Sequence, residues 1–451
     1  MKTYKVTDRL ILFEALQKDE ICIRLSELLI DIDNNEAAAL DTSTYYEIQR
    51  GLVGCIGNGS ISGNYLQDHL CKIIATEDNI FARMSEQGVF ERAISGPERA
   101  SNASILSEEA FHLLNLAARE IGLLAPLYRF DFKKVFKNLN EYSISNIAGT
   151  EIPTRARSCA SECALSLQPI HEAMNEEDAM DAAILLATYY RKYGCGVFGI
   201  SQALMADKNG LIPQNKIDAV FMEDIVGNEN QKRALLENTE ILLSGHRANN
   251  ILLYGDSGTG KSSSVKALMT YYAGKGLKLI FVAKDKLDIL PEIYERIDGR
   301  GMKFIIFIDD LSFEENEYEF KAFKSIIEGR IAPRPDNAVF IVTTNRKNIV
   351  KDSWSDREGQ DDVRRRDNME EKRSLADRFG ITLIYTAPDK IEYLAIVRSI
   401  ADKAGLTMED DELFSEALKW EIRHGGRSGR TARQFVDYMV GKYTMFNEGE
   451  H

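Results

Sequence analysis

The sequence predicts an α/β protein: a parallel sheet covered by helices on both faces, preceded by a mostly helical region and followed by a small helical lid. Two observations carry that expectation. Five short apolar runs, NNILLYG, LKLIFVA, KFIIFID, NAVFIVTTN and ITLIYTA, alternate with amphipathic segments between residues 249 and 387. Strands spaced by helices in this way build a parallel sheet buried on both faces. Before about residue 205 and beyond 388, apolar residues recur instead at three and four, the helical interval.

The N-terminal region, residues 1–206, owes its helical reading to LILFEALQKDEICIRLSELLIDI, SEEAFHLLNLAAREIGLL and NEEDAMDAAILLATYYRKYG. In the last of these, Asn175 followed by acids marks a helix start and Gly194 a stop. GLVGCIGNGSISGNY reads as loop, and the chain shows no internal repeat or low-complexity tract. Gly, Pro and Asn cluster in DKNGLIPQNKID, so residues 207–221 are expected to link this region to the α/β core. The core is placed at 222–387 and the lid at 388–451.

With 451 residues, of which 44% are hydrophobic, the chain has material for two or three domains with sizeable cores. A net charge of −14 argues against a surface that coats nucleic acid or an anionic membrane. The opening MKTYKVTDRLILFEALQKDE has acids among its apolar residues, unlike a signal peptide, and no apolar run is long enough to span a bilayer. The expected location is the cytoplasm. Six cysteines, all in the first half, fit a reducing compartment. Cys159 and Cys163, with His171 further on, lack the remaining partners of a zinc site and read as buried small residues on a helix.

GDSGTGKSS fits G-x-x-x-x-G-K-S without a gap, with strand-like NNILLY before it and helix-like SSSVKALMTYYA after it. That context is what a phosphate-binding loop requires. Gly255, Gly258 and Gly260 allow the backbone to turn its N–H groups onto phosphate oxygens. Lys261 adds a charge near the β and γ phosphates, Ser262 ligates Mg²⁺, and the following helix aims its positive end at the same anion. The whole stretch, including Asp256, Ser257, Thr259 and Ser263, is the candidate nucleotide-binding set. Two other motifs are weaker. GCGVFG at 194–199 matches G-x-G-x-x-G but follows a helix, whereas a dinucleotide loop follows a strand. NKID at 215–218 imitates a guanine-reading motif but has no strand to deliver it, so adenine is favoured.

FIIFIDDLSFEEN, residues 304–316, ends an apolar strand with two acids. Beside a phosphate loop, Asp309 is expected to hold Mg²⁺. Asp310, on the other face of the pleat, is expected to polarise the attacking water. Asp is one methylene shorter than Glu, a deficit of about 1 Å that can cost about 10²-fold in rate. A working but slow ATPase is the expectation, with Glu314 as the reserve base.

Taken together, EDIVGNENQKRALLENTEILLSG, LLYGDSGTGKSSSVKAL, FIDDLSFE, VTTNRKNIV, SLADRFG and GRSGRTARQF resemble an AAA+ ATPase over about residues 222–440. They are similar to a bacterial AAA+ family of ATP-binding proteins of uncharacterised role. The Asp-Asp pair resembles that of replication-initiator and helicase-loader relatives, which hydrolyse ATP. The resemblance implies ATP and Mg²⁺ as cofactors and assigns Asp224, Ile225, Val226 and Gly227 to the segment that packs on adenine. It makes Asn345 the first sensor, Arg378 an arginine finger acting on a neighbouring subunit, and Arg430, with Arg433 as rival, the second sensor. Blander roles stay open: Asn345 as a turn cap, Arg378 in an ion pair with Asp377, and Arg430 and Arg433 on a solvated basic face. Residues 351–373, dense in both charges, read as a solvated loop flanking the subunit seam, with contact to nucleic acid not favoured.

The leading expectation is a homo-oligomeric ATPase, with a hexamer as the candidate size, whose N-terminal region binds a protein client. The alternatives are an ATP-gated scaffold or loader with little turnover, and, least favoured, a small-molecule phosphotransferase.

Overall fold

A computed structural model describes residues 5–33, 42–53, 62, 64–91, 106–135, 166–214, 217, 219–312, 318–327, 333–345 and 378–447. Cys159, Cys163, Glu314, Asp377, the segment 351–373 and most of NKID lie outside the described residues.

The described part of the N-terminal region is mostly helical, as expected. Its main helices are α1 (Glu20–Asp33), α2 (Thr42–Val53), α3 (Tyr65–Thr76), α4 (Ile80–Glu86), α5 (Glu108–Tyr128), α6 (Gln168–Asn175) and α7 (Ala179–Tyr193). One apolar core joins them, with Leu25, Leu66, Phe81, Leu114, Leu124 and Tyr190 buried in it. Asn175 ends α6 rather than starting α7. The cap of α7 is Asp178, whose carboxylate accepts the Asp181 N–H at 2.8 Å, and Gly194 stops that helix as expected. Glu120, fully buried on α5, accepts backbone N–H groups of Ile11, Leu12 and Phe13 and so ties the N-terminal segment to the bundle.

All five expected strands are present: β3 (Ile251–Gly255), β4 (Leu277–Phe281), β5 (Lys303–Ile308), β6 (Ala338–Thr344) and β7 (Ile381–Tyr385). They pair in parallel in the order β4-β5-β6-β3-β7. Side chains alternate between two cores: Phe304, Ile306 and Ile308 of β5 face one, Ile305 and Phe307 the other. Helices α8 (Glu229–Leu243), α9 (Lys261–Tyr271), α10 (Leu290–Ile297) and α11 (Tyr318–Ile327) belong to this core.

The sheet is larger than the sequence suggested. The stretch taken as a linker, 207–221, contains the end of β1 (Ala203–Asp207) and all of β2 (Gly210–Pro213), an antiparallel hairpin whose β1 pairs in parallel with β4. Gly210, at φ 120°, closes the hairpin turn. The cluster of turn residues that signalled a break is therefore a hairpin turn inside the sheet.

The lid is three helices, α12 (Lys390–Lys403), α13 (Asp410–Arg423) and α14 (Gly429–Asn447), around a core that includes Tyr393, Val397, Leu413 and Phe435. α12 starts with a capping box between Asp389 and Glu392. The helical region and the α/β core are joined by Arg300, in the loop before β5. Its guanidinium donates to both carboxylate oxygens of Glu86, at 2.9 and 2.8 Å, and to Asp78. Among the described residues no helix is long and apolar enough to cross a membrane.

Candidate functional site

β3 delivers the glycine-rich loop. Gly255, Gly258 and Gly260 have φ values of 149°, 78° and 94°, backbone conformations that side chains resist. Gly255 also lacks space for one, because an added Cβ would lie 1.8 Å from the Tyr385 carbonyl oxygen on β7. Gly260 is the N-cap of α9, so the helix begins at Lys261 with its unpaired N–H groups at the loop. Lys261 donates to the carbonyl oxygens of Gly255 and Asp256, each at 2.7 Å, and to Asn345 Oδ1 at 3.0 Å. Burial pushes its pKa below the ordinary lysine value, while the carboxylates of Asp256, Asp309 and Asp310 act in the opposite direction. Thr259 ties the loop to itself by donating to Asp256 O at 2.8 Å.

β6 lies between β5 and β3, so its C-terminal residues stand between the two acids and the loop. Asp309 Oδ1 accepts from Ser262 Oγ at 2.6 Å and from the Thr343 hydroxyl. Asn345 bridges the two halves: its Oδ1 receives Lys261 and its Nδ2 donates to Asp310 Oδ1 at 2.7 Å. The residues singled out from sequence on three separate strands and loops thus meet in one hydrogen-bonded chain. One expectation needs correcting. β5 ends at Ile308, and Asp310 has φ 53°, so a left-handed turn of the backbone aims its carboxylate, not the alternation of a pleat.

A cleft of about 1450 Å³ opens over these groups, lined by Ser257 to Ser263, Asp309, Asp310 and Asn345. Its apolar part includes Val220, Ile225, Val226, Ile396 and Ile400, from the segment before α8 and from the lid. Asp224 lies on this wall and forms an ion pair with Lys403 of the lid. Gly227 is not part of the lining. Its φ is 75° and an added Cβ would meet the Glu392 carboxylate at 3.1 Å, so it gives the lid a close approach.

The lid touches the loop directly, since Gly429 N–H donates to Gly258 O at 2.9 Å. Arg430 and Arg433 both line the cleft. Arg430 stands nearer the loop, its Cβ 3.4 Å from where a Cβ on Gly258 would be. Arg378 is elsewhere. Strand β7 pairs Ile381 with Ile251 and Tyr385 with Gly255, so Arg378, exposed before the strand begins, is at the opposite end of the sheet. At about 3.3 Å per residue it is roughly 20 Å from its own loop, beyond the reach of an arginine side chain.

Sequence reasoning passed over Thr343, which bonds both acids, and Lys403, which closes the apolar wall. Thr343 had a signal: it is a polar residue at the end of an otherwise apolar strand, two residues before Asn345. Lys403 had none, because its partner is far away in the chain.

The DUF815 family, described as a protein of unknown function, matches residues 200–443, more than half of the chain. The chain belongs to DUF815. No curated protein matches its sequence. Among solved structures, this DUF815 chain is similar to the RuvB Holliday junction branch migration motor of Thermotoga maritima, with a TM-score of 0.36 and 16% identity over 51% of this chain and 66% of that one. It thus spans slightly under two thirds of the RuvB chain. It is also similar to PCH-2 of C. elegans, with a TM-score of 0.31 and 16% identity over 47% of this chain and 63% of that one. A third likeness is to a chain of the HORMA:CdnC:Trip13 complex of E. coli MS115-1, with a TM-score of 0.32 and 15% identity over 48% and 89%. In the DUF815 chain the glycine-rich loop joins a strand of the sheet to a helix, and three further helices follow the last strand.

Proposed function

We propose that this protein binds ATP with Mg²⁺ and hydrolyses it slowly at a seam between identical subunits, using the resulting change of shape to act on a protein client. The observation that carries the reading is the hydrogen-bonded chain Lys261–Asn345–Asp310 beside Ser262–Asp309, all at the mouth of one cleft. Oxygen donors suit a hard cation. Two from the chain, Ser262 Oγ and Asp309, leave the other positions to phosphate and water, the way Mg²⁺ is usually held. Bound there, the cation would supply charge neutralisation for the phosphates.

The chain's own residues do the rest. The loop from Gly255 to Ser263 binds the phosphates, and Asp224, Ile225 and Val226 with the lid enclose the adenine. Asp310 takes the proton of the attacking water, held in place by Asn345. Arg430 approaches the phosphates from the lid, with Arg433 behind it on the same helix. Arg378 serves the neighbour's site, since it is too far from its own. A client rather than nucleic acid is favoured by the net charge of −14. A scaffold gated by occupancy alone is the second reading. It is favoured by the bonds that Asn345 makes to both Lys261 and Asp310.

Multiple-turnover ATP hydrolysis separates the two. The purified protein is expected to turn over ATP, and Lys261→Ala to lose nucleotide binding. Arg378→Ala is expected to keep binding and lose about 10³-fold or more in rate. Mixing Arg378→Ala with Lys261→Ala subunits restores activity only if the site is shared. An unchanged rate in Arg378→Ala removes the seam from the proposal, and binding without turnover leaves the scaffold.

A further inference from the structure

We infer that Thr343 is the positioning residue for both acids of the site: its hydroxyl orients Asp309 toward the cation and holds Asp310 in its left-handed turn. The inference deepens the proposed ATP·Mg²⁺ reading and rests on it.

Three consecutive residues after β5 hang on this one threonine. The Asp309 carboxylate accepts its hydroxyl, the Asp310 N–H donates to Oγ1 at 2.8 Å, and the Leu311 N–H donates to its carbonyl oxygen at 2.8 Å. A hydroxyl has one proton and two lone pairs. An ionised carboxylate only accepts and an amide N–H only donates, so the two partners fix the direction of both bonds. Thr343 is buried, with 1% exposure, and its β-branched side chain has little freedom about χ1. The hydroxyl is therefore held by packing from a central strand and transmits that rigidity to the acids.

Asp309 Oδ1 receives two hydroxyls, Ser262 and Thr343. Ser262 is a cation ligand in the proposed site and would turn to that task. Thr343 lies behind the carboxylate, on β6, and remains as its support. Partners of this kind behind a metal ligand typically matter by 10- to 100-fold in metal affinity or activity. The same hydroxyl anchors the N–H of Asp310, whose φ is 53°. Valine has the shape of threonine and neither bond, whereas serine keeps both.

ATP affinity measured by calorimetry, with and without Mg²⁺, tests this without any turnover. In Thr343→Val the Mg²⁺-free affinity is expected to stay within about twofold of the unsubstituted protein, while the gain conferred by Mg²⁺ falls about 10-fold. Thr343→Ser is expected to recover most of that gain. Thr343→Ala reads the same quantity if the valine variant does not fold, since the Leu311 bond to the backbone carbonyl survives every substitution. If Thr343→Val, or Thr343→Ala in its place, keeps the full Mg²⁺ gain, or if serine fails to restore it, the inference is overturned. If the unsubstituted protein shows no Mg²⁺-assisted binding of ATP, the proposed function itself falls.

Discussion

At Asp310 the backbone sits at φ 53°, a region where Asp and Asn are enriched among non-glycine residues because their short side chains bond locally. The turn brings the carboxylate to 2.7 Å from Asn345 Nδ2, where a longer acid would overrun its partner. This gives a physical reason for Asp rather than Glu here. Asp310→Glu is accordingly expected to slow ATP hydrolysis, by about 10-fold or more, with ATP affinity unchanged. Steady-state kcat checks it, and a faster glutamate variant would show that reach, not backbone conformation, governs the position. The identity of both acids was legible in the sequence. Their orientation was not, because the sign of a backbone dihedral depends on hydrogen bonds from β6, distant in the chain.

Among the elements, the five parallel strands were legible because each is a short apolar run with few readings compatible with its length; β4, β5 and β6 are buried on both faces, whereas β7, at the sheet edge, leaves Ile384 exposed. The β1–β2 hairpin was not legible. Each of its strands is short and leaves a side chain exposed, Met205 in one and Ile212 in the other, so neither carries a strong apolar signal. Helix α6 shows a feature that appears only on packing. His171 is buried, with the Tyr128 hydroxyl 2.6 Å from Nδ1 and the Asp68 carboxylate 3.4 Å from Nε2. Cys71 Sγ lies 3.4 Å from the same Nδ1. Burial pushes the imidazole below its ordinary pKa, and Asp68 opposes this only in part. The folded protein thus stays unprotonated where the unfolded chain, with a pKa of about 6.5, takes up a proton. Stability is fully present above that pH and declines as pH falls through it, by at most about 1.4 kcal/mol per unit for one proton. Urea midpoints between pH 7.5 and 5.5 should fall more steeply in the unsubstituted protein than in His171→Gln; equal slopes would assign the dependence to other groups.

For the molecule as a whole, the helical region and the α/β core are locked at Arg300. Glu86 is fully buried, and at Gly301 an added Cβ would lie 1.9 Å from the Glu86 carbonyl oxygen, so the two parts are in close contact. Burial pushes the Asp78 carboxyl upward, but hydrogen bonds from Arg83 and the charge of Arg300 more than offset it and hold its pKa below the ordinary value. Arg300→Leu removes the partner of a buried carboxylate and is expected to cost about 3–5 kcal/mol in chemical denaturation. A loss under 1 kcal/mol would mean that the joint is held by packing alone. Because Arg300 lies just before β5, the strand that ends at the two acids, the joint and the site share one element.

The sequence by itself determined the glycine-rich loop, the acid pair, the alternation of strands and helices and the helical character of both flanks. Each is a local pattern whose residues are neighbours in the chain, so spacing alone reveals it. Only the tertiary structure decided that β6 stands between loop and acids, that Thr343 and Asn345 bond across that gap, and that the hairpin at 203–213 extends the sheet. It also placed Arg378 away from its own cleft. These depend on strand order and register, which are set by burial energies summed over the whole core and leave no trace in any short stretch of residues.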